Sequence, residues 1–296
     1  KNFDLRVLKV KDNLPKVKLS RDYDERLPAI PGVTLFIGRP KSGKTLLCAN
    51  YLFNENFAGS GKNTPAIFDQ IYYVSPTCRM DSSTQLLFRE EFEDRVIVYE
   101  DTDNLDAFIQ NIMDYQSSFP IDDEDNPRPI IAIIMDDISG ALKRNKLTTH
   151  LSSRYRHFSI GQLIYINQTL KDLPAVCRTT AENVFVAKTT SILEQQKILD
   201  EWSDLYEHRL LMAWNHCVDE PHSFAYLKMD KLEPELYKVN SNGFEKVDWR
   251  SFPVTLPTDL KKMYRERDKK NKKGKKDKNE KLKKNKTEDN NINKNE

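Results

Sequence analysis

Paired cysteines are missing from this 296-residue chain: its four, Cys48, Cys78, Cys177 and Cys217, stand far apart with no C-x-x-C among them. A disulfide framework and a zinc knuckle both need close, repeated spacings, so neither is indicated and reduced thiols are expected. No apolar run approaches the roughly 20 residues that cross a bilayer, and no basic-then-apolar leader opens the chain. A soluble intracellular protein without a membrane span is the expectation. Internal repeats are also lacking. Net charge is nearly absent, 47 Lys and Arg standing against 45 Asp and Glu for a formal +2. That balance is a cancellation. Residues 261–296 hold 16 basic and 7 acidic side chains, a net +9, which leaves residues 1–260 at −7. An acidic body is joined to a basic tail.

What is present divides the chain into three stretches. Residues 1–30 are the N-terminal arm, in which residues 1–20 alternate Phe3, Leu5 and Val7 and then turn basic and Pro-broken, reading as an edge strand or an extended arm. Residues 31–260 are long enough to bury a full core. Within them short β-branched runs alternate with helix-length segments, the signature of an α/β fold whose mainly parallel sheet is flanked by helices. The strand runs are Val33–Ile37, Ile71–Val74, Val96–Tyr99, Ile130–Met135, Leu163–Ile166 and Val184–Ala187. Helical periodicity marks Lys44–Phe53, Leu105–Tyr115 and Ser191–Trp202. Residues 119–129 form an acidic, Pro-containing surface loop. Beyond residue 220, Phe224–Tyr226 and Leu236–Val239 predict a small C-terminal β extension, after which Pro253 and Pro257 lead out of the fold. Residues 261–296 have almost no apolar side chains and cannot offset chain entropy by burial, so a disordered tail is expected.

The strongest chemical signal is Gly38-Arg39-Pro40-Lys41-Ser42-Gly43-Lys44-Thr45, a full G-x-x-x-x-G-K-[ST] phosphate-binding loop between a predicted strand and a predicted helix. Such a loop wraps phosphates with backbone N–H groups while the helix N-terminus adds partial positive charge. Lys44 then reaches the β- and γ-phosphates, and the Thr45 hydroxyl ligates Mg²⁺. ATP and Mg²⁺ are the cofactors this implies. The run Ile130–Met135 ends in Asp136-Asp137. A buried strand ending in two acids suits nucleotide hydrolysis: Asp136 would hold the metal and Asp137 would position or activate the attacking water. A further strand ends in Asn167-Gln168, placing an amide sensor, Gln168, at the sheet edge where open α/β sheets bind ligands. Arg154 and Arg156 precede that strand, and either can be offered to a neighbouring subunit's γ-phosphate. No N-K-x-D motif reads guanine, since Asn145-Lys146-Leu147-Thr148 lacks the acid. An ABC-type signature helix is not found ahead of the acidic strand.

Taken in order, the phosphate loop, Ile71-Tyr72-Tyr73-Val74-Ser75-Pro76-Thr77, Asp136-Asp137, Arg156-His157 and Asn167-Gln168 with Lys171-Asp172-Leu173-Pro174 resemble the poxvirus-type genome-packaging ATPases of large DNA viruses and virophages, within the FtsK/HerA superfamily. The likeness spans about residues 30–190. It implies a RecA-like ASCE P-loop core, assembly as a homo-oligomeric ring (pentamer or hexamer), and ATP-driven pumping of double-stranded DNA into a capsid. Capsid or portal-vertex proteins are further implied partners, with the host-cell site of virion assembly, or the virion itself, as the location. By position Lys44 and Thr45 would bind nucleotide and Mg²⁺, Asp136 the metal, and Asp137 would be the catalytic acid. Gln168 would be the sensor, and Arg156, or Arg154, the finger acting in trans. Two features depart from the family: Asp137 stands where relatives usually have Glu, and Arg39 and Lys41 offer loop cations in cis. Lys143, Arg144 and Lys146 are the candidate DNA contacts on a pore loop, because a motor needs to grip phosphates without reading sequence. Two other functions fit the same residues, a HerA-like or conjugation-type cellular DNA pump and a nucleotide-regulated scaffold binding nucleic acid or capsid.

Overall fold

A computed structural model describes residues 17–80, 84–85, 94–120, 127–143 and 145–256. The first part of the N-terminal arm, the middle of the acidic loop, Arg144, Pro257 and the basic tail lie outside the described residues.

The elements in order are β1 (Gly32–Ile37), α1 (Lys44–Phe53), β2 (Gln70–Val74), β3 (Val96–Tyr99), α2 (Leu105–Ser117), β4 (Ile131–Asp136), α3 (Ser139–Leu142), α4 (Lys146–Arg154), β5 (Ile160–Asn167), α5 (Ala175–Thr179), β6 (Asn183–Ala187), α6 (Ile192–Trp202), α7 (Leu210–Cys217), β7 (Phe224–Lys228), β8 (Glu235–Asn240) and β9 (Gly243–Val247). All nine strands join one sheet in the order β3-β2-β4-β5-β1-β6-β7-β8-β9. From β3 to β6 the neighbours are parallel, and β7, β8 and β9 add antiparallel pairs at one side. The predicted strands and the C-terminal β extension are thus present. Five elements exceed the expectation: β9, which completes the extension, the short helices α3 and α5, and the helices α4 and α7. Helix α4 carries a weak signal, being a polar segment, KLTTHLSSR, whose inward face is Thr148, Leu151 and Ser152.

The sheet is buried on both sides, which is why its central strands read as unbroken apolar runs. Alternate residues still divide between two cores. Val33, Leu35, Ile37, Ile131, Ile133 and Met135 face the layer built by α2, α4, α6 and α7. Phe36, Ala132 and Ile134 face α1 and the chain segment that carries Leu27. Helix α2 shows how the pattern works, burying Leu105, Ile109, Ile112 and Met113 at the three-to-four spacing of one helical face.

The antiparallel extension is fastened to the parallel core by a row of rings. Phe36 pairs with Phe185, Phe185 with Tyr226, and Tyr226 with Tyr237 as directly opposed residues on neighbouring strands. Their ring centroids stand 4.6, 4.2 and 5.7 Å apart, the first two pairs within 6° of parallel. Cross-strand pairs are the unit of sheet stabilisation, and stacked aromatics add to the area they bury. Tyr226 keeps its polar end satisfied, its hydroxyl donating to Asn183 Oδ1 at 2.7 Å. Phe185 sits in the middle of the row and is 2% exposed. Phe185→Ala is expected to cost about 3–5 kcal/mol of unfolding free energy in urea titrations. A loss below about 1 kcal/mol would mean that the row is not a fastening.

Candidate active site

The site follows from the register of three parallel strands. Ile37 of β1 lies opposite Asn167 of β5, and Asp136 of β4 opposite Ile166. All three strands therefore stop at one edge, and β5 lies between the phosphate-loop strand and the acidic strand. The turn out of each strand is held to its neighbour: the Gly38 N–H donates to the Asn167 carbonyl at 3.2 Å, and the Asp137 N–H to the Ile166 carbonyl at 3.2 Å. A cavity of about 550 Å³ opens there, lined by Pro40, Lys41, Lys44, Thr45, Asp136, Asp137 and Gln168 among others. The fold thus brings the phosphate loop, both acids and Gln168 to one cavity.

The loop's shape has local causes. Gly38 leaves β1 so closely packed that a Cβ on it would lie 2.7 Å from the Ala187 Cβ. Gly43 has φ of 93°, a left-handed conformation open to glycine, and it caps α1 with no side-chain hydrogen bond of its own. The first N–H groups of α1 are thus left to an anion. The ammonium of Lys44 folds back on the loop, donating to the carbonyls of Gly38 at 2.7 Å and Arg39 at 3.2 Å. Burial lowers its pKa, while Asp136 and Asp137 oppose that shift.

The two acids have different surroundings. Asp136 is 8% exposed, and its Oδ2 accepts from the Tyr73 hydroxyl at 2.5 Å and the Thr45 hydroxyl at 3.2 Å. Burial raises its pKa to about 6, against the lowering effect of those two hydrogen bonds and of Lys44. Asp137 faces solvent and accepts from Gln168 Nε2 at 3.3 Å. Its φ of 55° is left-handed, a conformation that Asp and Asn tolerate far better than most side chains. The backbone at this second acid suits a short carboxylate.

Nucleotide with Mg²⁺ fits these residues. The Ser42 hydroxyl in the loop and Asn167 Oδ1 at the cavity wall are buried without hydrogen-bond partners. Thr45 and Asp136 present a hydroxyl and a carboxylate to one point, the hard oxygen donors that Mg²⁺ takes. Among the described residues no group of three His, Cys, Asp or Glu makes a self-sufficient metal site. An ion here would be shared with phosphate oxygens, whose charge it neutralises when bound.

The remaining predicted residues lie elsewhere. Arg39 and Lys41 are exposed; Lys41 borders the phosphate cavity and Arg39 an adjoining one. Arg154 and Arg156 sit just before β5, at the opposite end of that strand from Asn167. Eight residues of strand separate them by roughly 23 Å at about 3.3 Å per residue. Arg156 is ion-paired with Glu182 at 2.5 Å and donates to the Tyr155 hydroxyl at 3.0 Å. It borders a separate cavity of about 700 Å³. Lys143 and Lys146 occupy a corner between α3 and α4, where Asn145 Oδ1 caps α4 by accepting from the Thr148 N–H. Lys143 bridges to Asp172 at 2.8 Å, and Lys146 is exposed. Sequence reasoning assigned nothing to Tyr73 or His222, and both touch the site. Tyr73 lies in the motif segment after the loop but reads as core; His222 carries no spacing that marks it.

This is the fold of the ASCE P-loop ATPases, with an extra strand between the loop and the acid. No family model and no curated protein matches the chain. Solved structures overlap it partially. The DNA-packaging ATPase B204 of Sulfolobus turreted icosahedral virus shares 14% identity over 70% of this chain and 97% of its own, with a TM-score of 0.49. The pCW3 conjugation coupling protein TcpA, solved with ATPγS, shares 11% over 86% of this chain and 75% of its own, at 0.48. EssC from Geobacillus thermodenitrificans, ATPases 2 and 3, shares 12% over 87% of this chain and 52% of its own, at 0.49. The strand order, and not these overlaps, identifies the fold.

Two outcomes are expected. Lys44→Ala removes most nucleotide affinity, whereas Asp137→Asn, which keeps the left-handed backbone and the Gln168 partner, binds nucleotide and loses turnover by about 100-fold or more. Equilibrium binding and single-turnover hydrolysis on the two variants check this, and equal loss of binding in both overturns the division of roles. The second outcome concerns pH. Asp136 binds its proton more tightly folded than unfolded, so its contribution to the stability of the ligand-free protein is present at about pH 4 and lost as pH rises through 6. The stability difference between wild type and Asp136→Asn should move by at most about 3 kcal/mol across that window, with wild type favoured at the acid end.

Proposed function

We propose that this chain is an ATP-driven motor that translocates double-stranded DNA, and that its setting is viral genome packaging of the poxvirus type. One observation carries the hydrolytic half: two adjacent acids at one cavity are divided between a buried carboxylate on Thr45 and an exposed one on Gln168. Asp136 suits Mg²⁺ because it is held in place by two hydroxyls. Asp137 suits water because it faces the open cavity, and Gln168 fixes its orientation. Lys44 is freed from its own loop carbonyls when phosphate oxygens compete for the ammonium.

The translocating half rests on the order of the motifs and on where the cations stand. Lys143 and Lys146 lie on the corner that follows the acidic strand, one short helix beyond Asp137. Arg154 and Arg156, too far along β5 to serve their own site, serve a neighbour's nucleotide in a ring. Capsid or portal-vertex proteins are the fixed partners against which such a ring pulls, at the site of virion assembly.

Long duplex DNA should raise the steady-state ATPase rate several-fold, and this stimulation should fall steeply with added salt because counterion release drives non-specific phosphate contacts. Measurable hydrolysis that long duplex leaves unchanged would sink the translocase reading and favour a nucleotide-regulated scaffold.

A further inference from the structure

A second cavity adjoins the phosphate cavity and has no role in the chemistry above. It measures about 350 Å³ and lies between α1 and the antiparallel extension, with Leu46, Asn50, Phe57, Asn240, Phe244 and His222 in its lining. Gly43, Leu46 and His222 border both cavities, so the two adjoin at the start of α1.

Two of those shared residues are unusual for a surface that stays bare. Leu46 follows Lys44-Thr45 directly and is 48% exposed, a large apolar side chain uncovered at the mouth of a polar site. His222 stands over the loop, with Nδ1 3.4 Å from the Ser42 carbonyl oxygen and 3.5 Å from where a Cβ on Gly43 would be. Its φ of 57° is left-handed, a cost that persists only where surrounding structure imposes it. That structure is an ion-paired clamp. Lys238 of β8 reaches Asp219 Oδ1 at 2.7 Å and Glu220 Oε1 at 2.9 Å, and Asn240 Nδ2 donates to Glu220 Oε2 at 3.2 Å. The turn is closed by the Ser223 hydroxyl, which donates to the Glu220 carbonyl at 2.7 Å. Three contacts thus pin 219–223 to the extension, a fourth closes the turn, and together they hold an imidazole above the loop.

We propose that this cavity is the nucleoside pocket: the ribose and base of the nucleotide enter it while the phosphates lie in the loop. The proposal rests on the phosphate-loop reading. Leu46 and the edge-stacked pair Phe57 and Phe244, 5.8 Å apart, offer apolar surface to a flat ring. Asn50 Nδ2 donates to the Leu46 carbonyl at 2.9 Å and Asn240 Nδ2 to Glu220 Oε2, which orients both amides and leaves the second N–H of each and the Asn50 oxygen for the polar edge of the ring. His222 covers the junction between phosphate and sugar. Affinity for the base therefore comes from the antiparallel extension, outside the motifs that bind phosphate.

The test compares MgATP with magnesium tripolyphosphate, which keeps the phosphates and lacks the nucleoside, by calorimetric titration of the full chain. Wild type should bind ATP at least about tenfold more tightly than tripolyphosphate. His222→Asn, which tolerates the left-handed backbone, and Leu46→Ser, at an exposed position, should each lower ATP affinity about fivefold and leave tripolyphosphate within about twofold. Photolabelling with 8-azido-ATP should mark α1 or residues 219–247. Equal wild-type affinity for the two ligands, equal weakening of both in the variants, or label confined to other segments overturns the pocket while leaving the phosphate loop intact. Binding of neither ligand to wild type overturns the phosphate-loop reading and the pocket with it.

Discussion

The parallel hydrogen-bond register of β1, β5 and β4 is the constraint on which the rest depends. Because Ile37 meets Asn167 and Asp136 meets Ile166, a loop, an amide and an acid from distant parts of the chain arrive at one sheet edge. A one-residue slip between β4 and β5 would turn Asp136 away from Thr45 and set Asp137 into the buried row. The register is protected in turn by burial on both faces, where alternate side chains of each strand belong to separate cores.

Much of this was legible in the sequence, for reasons that vary by element. The central strands announce themselves because strands buried on both faces are continuous apolar runs, α2 because its buried face is periodic, and α1 because it is an apolar segment directly after the phosphate loop. The phosphate loop is legible because its chemistry fixes residue types at fixed spacing. Helix α4 escaped since its buried face is Thr148, Leu151 and Ser152, with polar groups satisfied inside the fold: the Ser152 hydroxyl lies 2.7 Å from that of Tyr165. No local pattern encodes such a partner. His222 is invisible for the same reason, being brought to the loop by ion pairs that join Lys238 to residues 18 and 19 positions earlier.

The two acids illustrate how one dipeptide acquires two characters. Asp136 ends a strand and inherits its burial; Asp137 begins the turn and inherits left-handed backbone and solvent. The protein therefore separates a carboxylate that suits a metal from one that suits water without any change of side-chain type. Burial works against the ionised form of the first, and hydroxyls from Tyr73 and Thr45 offset that cost only in part.

All four cysteines are free and buried, at 0–1% exposure, in α1, after β2, in α5 and in α7. Burial pushes the pKa of each of these thiols upward. A thiol reagent in the bulk therefore meets little reactive sulfur on the folded chain, and the rate at which each cysteine is modified becomes a clock for local opening at four separate places. Cys48 keeps that clock on the helix directly behind the phosphate loop, where a bound nucleotide would slow it.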